Sequence, residues 1–490
     1  MTQYTYSQEP VYFNKVFNKN GFDTQGYTII DNGNEYVGYC SNWDISIPQQ
    51  LVFFRLDYTG NFNTWIEFSE PGNEYFPGNV GGAMKILPDN GYCIAFHSNY
   101  DGVTYGRLLK LDIGLDTVWS RYYAPEYKNV IVNSFISNDG YLIVGWNWYN
   151  PNEFSDALLL RTDEEGNYLW HQTYGDEWAE HATNLIQTPD GGYLVGGFFW
   201  KPGLYHSLDA MVIKTDSLGN EEWTRYYGNP DVDDDMAFVA LAGDGNYLVA
   251  TVYGEYIWTP EARAGRIYIL KIDENGEIIW DKKAGEIRYG YYMKNFREIG
   301  DNNYIANGWS EVIDSTIPFV YYPGWIYKFD QNGDSIWFRD YNHFNDLNDK
   351  NYIYDVSEAS DNGFVGIGQS NEVFTQSNMW VIKLDSMGCD TPGCATGTEV
   401  FEWSVGMGSE LKVWPNPTKG EFSVQCYEFC VQGEKIIRVY NSQGIKMEVM
   451  KVPDGADTCT FNAEGWTHGI YFLVVEFSGG VVGSAKIVVR

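Results

Sequence analysis

Within 490 residues, acidic side chains outnumber basic ones 66 to 32, and the net charge of −34 argues against phosphate backbones and anionic lipid as partners, so nucleic acid is set aside. Hydrophobic residues make up 44% and aromatics 17%, with 52 Gly and few helix-like periods, so the composition reads as all-β, many short strands joined by tight turns. No run of 18 apolar residues exists, which excludes a transmembrane helix.

The start of the chain, MTQYTYSQEPVYF, has neither a basic segment nor an apolar one, and a signal peptide is expected to be missing from this sequence. VYFNKVFNKNGFD (11–23) resembles the strand and exit WTRYYGNPDVDDD (223–235). Between them one phrase begins to recur, clearest as AMVIKTDSLGNEEWTRYYG (210–228). Its Asp stands at 57, 112, 163, 216, 273, 330 and 385, at intervals of 51 to 57 residues. An alternating apolar run ends at Asp216, Gly219 supplies the positive φ of a hairpin turn, and the Asp216 carboxylate can accept amides inside that turn. Trp223 opens the outgoing strand, with equivalents at 65, 119, 170, 280 and 337. Each indole would bury on the order of 200 Å², roughly 5 kcal/mol gross, so periodic Trp is predicted to be core.

Upstream of each phrase lies a second, such as TPDGGYLVGG (188–197), whose Asp-Gly pair between apolar runs marks a further hairpin. Each repeat therefore holds four strands, and units that cannot bury their faces alone are expected to close into a ring. The last copy, MWVIKLDSMG (379–388), runs into CDTPGC with Pro392 at the Trp position, so it lacks an outer strand. Residues 11–20 can supply it. The prediction is a seven-bladed β-propeller over 11–388, closed by the N-terminal strand. Its phrases are those of neither WD40, kelch nor the Asp box of sialidases; they resemble the loosely defined propeller repeats of secreted Bacteroidota proteins.

Residues 389–410 lose the repeat and read as a linker, with Cys389 and Cys394 as candidates for a disulfide. Five of seven Cys fall after residue 388, which suits an oxidising compartment, and no CxxC or HxxxH spacing supports zinc. In the last stretch LKVWPNPTKGEFSV (411–424), IIRVYNSQGIKMEV (436–449), GWTHGIYFLVVEF (465–477) and SAKIVVR (484–490) follow in an order that resembles the type A C-terminal sorting domain of type IX secretion substrates. Alternating strands with turns at 415–417 and 441–444 read as a small Ig-like β-sandwich over 411–490. The resemblance implies the type IX secretion machinery as a partner and a secreted or outer-surface location. The Cys-bearing CYEFC (426–430) departs from it.

Chemistry is sparse. The six His are scattered, and no GxSxG, HExxH, P-loop or GxGxxG stands in a catalytic context, so no catalytic residue or cofactor is predicted. DVDDD (231–235) is a calcium candidate that lacks the Gly and distal Glu of an EF-hand loop. Irregularity concentrates in long aromatic connections on one face: 147–155, 198–207, 253–265, 309–324 and 340–352. Trp148, Trp200, Tyr256, Trp258 and Trp309 are the predicted ligand contacts there, for an extracellular glycan or protein, unless these aromatics pack the loops together. The expected function is non-catalytic binding or adhesion, with a polysaccharide hydrolase or lyase as the alternative.

Overall fold

The computed structural model describes residues 11–18, 21–44, 47–78, 80–123, 128–137, 139–148, 155–175, 178–200, 208–255, 264–313, 320–343, 349–371, 376–392, 394, 413–425, 435–441, 446–452, 458–463, 466, 468–477 and 480–490. Two compact units divide the chain, Met1–Thr396 and Gly397–Arg490. Among the described residues no α-helix occurs, and the 3₁₀ segment Gly300–Asn302 is a single short turn; the protein is all-β.

In the first unit the local cause of each hairpin is the Asp of the repeat. Asp216 Oδ1 accepts the amides of Leu218 and Asn220, both at 2.8 Å, and the chain reverses through Gly219 at φ +80°. The same pair of carboxylate bonds recurs at Asp57, Asp112, Asp163, Asp273, Asp330 and Asp385. In the Asp112 repeat the left-handed position is held by Leu115 at φ +71°, and burial of its side chain offsets that strain.

Each hairpin joins the third and fourth strands of an antiparallel meander. In the Asp216 repeat Ala179–Gln187, Tyr193–Trp200, Leu208–Thr215 and Glu221–Tyr227 pair in chain order from the inner strand to the outer. The Asp57 repeat runs likewise from Asp23–Asp31 to Phe62–Phe68, and the Asp163 repeat from Lys128–Ser137 to Tyr168–Tyr174. One long strand, Ile278–Ile299, is the outer strand of the Asp273 repeat over its first part and the inner strand of the Asp330 repeat over its last. The arrangement is propeller-like.

Adjacent repeats are held by the residues that make the phrase recur. The repeat Trp is sealed, as its period predicts, at Trp337, but at Trp223 it is half-buried and lies over the turn of the following repeat. Its Nε1 donates to Glu274 O at 3.0 Å, and a Cβ on Gly276 would meet its ring at 3.1 Å. Tyr227, four residues on, donates its hydroxyl to Gly276 O at 2.8 Å. Tyr123, Tyr174 and Tyr341 do the same to Gly166, Gly219 and Gly388.

Among the described residues the last repeat has no outer strand of its own after Leu384, and Phe13–Phe17 fills the place, antiparallel to Asn378–Leu384. The equivalence is residue by residue: Phe13 pairs with Lys383 as Trp223 pairs with Lys214, each two residues before the turn Asp. Phe13 also lies over Gly60, the turn Gly of the Asp57 repeat, and Lys15 Nζ donates to Thr59 O and Gly60 O at 2.8 and 3.0 Å. A strand from the beginning of the chain thus makes the joint that Trp makes elsewhere.

The Asp112 repeat breaks the pattern at its inner strand, which is split into Asn73–Phe76 and Met84–Ile86. Between them the chain crosses to other repeats, where Val80 is buried with Val132, Phe238 and Met293, and Gly81 N donates to Lys294 O at 2.8 Å. A Cβ on Gly81 would stand 2.1 Å from Tyr354 O, so only glycine allows this approach.

The second unit has two antiparallel sheets, one of Val413–Trp414, Glu421–Gln425 and Thr458–Asn462, the other of Lys435–Asn441, Lys446–Val452, Gly469–Phe477 and Gly480–Val489. Phe422, Val439, Phe461, Tyr471 and Ile487 are among the residues of their common core. Cys389 and Cys394 are disulfide-bonded, while Cys40, Cys93 and Cys459 are buried thiols. Cys426 and Cys430, the 442–444 part of the second turn, and 395–410 of the linker lie outside the described residues.

Candidate functional site

The second strand of each repeat has Tyr or Phe at its first or second position after the tight hairpin and runs towards the long connections. Seven residues on from Tyr36, Tyr141 and Tyr193 stand Trp43, Trp148 and Trp200, in register with Asp23, Lys128 and Ala179 at the start of the inner strands. One rim of the fold therefore carries a tryptophan in each of three repeats. Trp43 and Trp200 are each 39% exposed, with ring surface free to meet a flat apolar partner.

Two residues nearer the hairpin, the same strand carries rings that stack on inner strands. Trp309 is sandwiched between Tyr292 at 3.9 Å and Tyr352 at 4.2 Å, with Tyr322 edge-on to Tyr352. Trp146 lies flat on His181 at 4.1 Å and 3°, and His97 stacks on Phe76. Burial pushes His181 down to about 3 and His97 to about 4, so both rings are neutral at ordinary pH. His181 Nε2 lies 2.6 Å from Ser155 Oγ. Ser155 is sealed from solvent, and no carboxylate bonds the other ring nitrogen of His181 among the described residues, so the pair is placed for packing rather than acyl transfer.

Beside the Trp309 stack, Glu311 is half-buried, and burial lifts its carboxyl above the usual range. Burial first, and then the Glu311 charge, raises the Tyr322 phenol. Three carboxylates of the acidic run 231–235 accept backbone amides: Asp234 Oδ1 accepts Gly254 N at 2.7 Å, Asp235 Oδ2 accepts Met293 N at 2.8 Å, and Asp233 Oδ1 accepts Leu208 N at 3.3 Å. Among the described residues no group of three or more His, Cys, Asp or Glu is placed to hold a metal ion.

Of the predicted contacts, Trp200 stands exposed on the rim, whereas Trp309 has both faces covered and offers only its edge. The Trp148 side chain, Tyr256 and Trp258 lie outside the described residues. Trp43, Tyr292 and Tyr352 join the site from outside the prediction. The seven-residue spacing from Tyr36 to Trp43, the same as from Tyr193 to Trp200, is the signal that identifies the first of them.

Residues 412–490 match the family model of the secretion system C-terminal sorting domain. The protein is therefore secreted or held at the outer cell surface, and no described helix is long and apolar enough to cross a membrane. No curated protein matches the chain. Among solved structures, a protein of unknown function from Dyadobacter fermentans is 12% identical, with 78% of this chain and 98% of that one covered at a TM-score of 0.40. The β-propeller domain of the Trilobed protease from Pyrococcus furiosus is 12% identical over 73% and 93%, TM-score 0.40, and the polysaccharide lyase Uly1 is 8% identical over 78% and 94%, TM-score 0.44.

Proposed function

We propose that the protein is an extracellular binding or adhesion module, carried outward by its type IX sorting domain, whose long-loop end holds a saccharide chain. The supporting observation is the rim tryptophans: Trp43 and Trp200 stand at equivalent positions and stay exposed, while the other rings of this end are already stacked on one another. Sugar CH faces stack on such indoles, and the carboxylates and amides of an acidic surface orient hydroxyls. In this reading the repeats form a seven-bladed ring over 11–388, residues 389–410 link it to a β-sandwich at 411–490, and the source is one of the Bacteroidota.

A glycan array, with a hydrolysis assay on every polysaccharide bound, tests the reading. Trp43→Ala and Trp200→Ala should each weaken binding several-fold and leave the melting temperature unchanged. Binding that ignores both substitutions removes the rim from the site. Glu311 supports the second reading, an enzyme, because burial shifts its carboxyl upward, the direction in which a general acid is tuned. Turnover that Glu311→Gln abolishes would replace binding by catalysis.

A further inference from the structure

Trp65 is set one residue out of register with the other repeat tryptophans. It stands eight residues after Asp57, whereas Trp119, Trp170, Trp223, Trp280 and Trp337 each stand seven after their turn Asp. Thr64 therefore takes the joint position, pairing with Arg55 as Trp223 pairs with Lys214, and Trp65, opposite Phe54, turns to the other face of the strand. The turn of the following repeat is the one where Leu115 stands in place of glycine and is itself buried.

Turned away from that joint, Trp65 faces the closing strand. Between Phe13–Phe17 and Phe62–Phe68 lies an open cleft of about 510 Å³, lined by Val16, Phe17, Asn18, Phe62 and Trp65. Phe17 meets Phe62 at 4.6 Å and 81°, and Phe62 meets Trp65 at 5.2 Å and 66°, so three steeply inclined rings from two repeats wall one space. Phe17 stands where Tyr227 stands in the Asp216 repeat but has no hydroxyl to give the turn. Lys15 does that work instead, and its Nζ is held by Thr59 O, Gly60 O and Asn61 Oδ1 at 2.8, 3.0 and 3.2 Å.

A hydroxyl-rich ligand finds few partners in this cleft. Asn18 and the Trp65 indole are the polar side chains of its described lining, and Asn18 Nδ2 donates to Phe22 O at 2.7 Å. Aromatic faces attract a cation within about 6 Å of their centroids, and a quaternary ammonium has no N–H groups to satisfy. The surrounding charge has the matching sign. Glu67 is exposed two residues beyond Trp65 on the same strand face, level with Val16 when both are counted from the Thr64 and Phe13 pairs, and the chain as a whole carries −34. We propose that this cleft is an aromatic cage for a small organic cation bearing a quaternary ammonium group. Phe17, Phe62 and Trp65 supply the ring faces, and Glu67 supplies negative charge nearby. The site is separate from the tryptophan rim and stands whether or not the rim binds saccharide.

Calorimetry on the full chain with choline and with its uncharged carbon isostere, dimethylbutanol, tests this. Choline should bind about tenfold more tightly than the isostere at low salt, because only the charge differs between them. That comparison uses the wild-type chain and does not depend on any variant folding. Trp65→Leu keeps an apolar wall but removes the ring, so it should weaken choline about fivefold and leave dimethylbutanol unchanged, while Glu67→Gln should weaken choline about twofold. Failure of choline to bind at up to about 10 mM, equal binding of the two ligands, or choline binding that Trp65→Leu leaves intact would each overturn the proposal.

Discussion

His97 and His181 are buried as neutral rings, pushed down to about 4 and about 3, while an unfolded histidine titrates near 6.5. The unfolded chain therefore binds protons that the folded one refuses, and stability is full above about pH 6.5 and falls as pH drops below it, by about 1.4 kcal/mol per unit for each ring. Asp57 adds a lower window. The Asn61 amide first, and then the Thr59 hydroxyl, hold its carboxyl down to about 2, so its contribution is present above about pH 4 and is lost as pH falls through 2. Melting curves from pH 7 to pH 4 should show a steady loss, and the His97→Gln/His181→Gln double variant should flatten it. An equal slope in the variant would mean that other groups carry the acid sensitivity. These stacked positions were not legible in the sequence, because the flattening rings Phe76 and Trp146 come from other strands.

At the scale of the element, the hairpins were fully legible, because Asp216, Gly219 and Asn220 make their bonds to one another. The joint between repeats was legible only as a recurrence. That Trp223 meets Gly276 and is half-exposed depends on where the next repeat sits, which no local window records. The rim was legible in part, since Trp200 follows from its loop while the covering of Trp309 requires Tyr352 from another repeat. The joint predicts a graded series. Tyr227→Phe should cost about 1 kcal/mol by leaving the buried Gly276 carbonyl without its donor. Trp223→Ala should cost about 2 kcal/mol, below the 3–5 of a sealed tryptophan. Gly276→Ala should cost a similar amount, because a Cβ would stand 2.9 Å from Arg225 Cγ at φ +80°. Chemical denaturation of the three variants checks the order, and a neutral Gly276→Ala would show that the joint yields.

For the whole molecule, the missing Trp at Pro392 was enough to predict that the N-terminal strand would be recruited, whereas the crossing at 78–83 was not foreseen. Glycines look alike in sequence whether they serve a turn or the close approach of Gly81 to Tyr354. Removing residues 11–18 should strip the outer strand from the Asp385 repeat, expose Asn378–Leu384 as an edge and lower the melting temperature by several degrees. A chain that melts unchanged without them would show that the strand is dispensable. The pairing of Phe13 with Lys383 also sets a clock. Phe13–Phe17 has no strand to pair with until Asn378–Leu384, nearly the last described strand of its unit, has been made, so until then it waits as an unpaired edge. The entropy of closing so long a loop grows only logarithmically with its length, but the search for the contact is slow. Closure by Phe13–Phe17 therefore has to wait for Asn378–Leu384, and a nascent chain that ends before that strand leaves this pairing open to association with its copies.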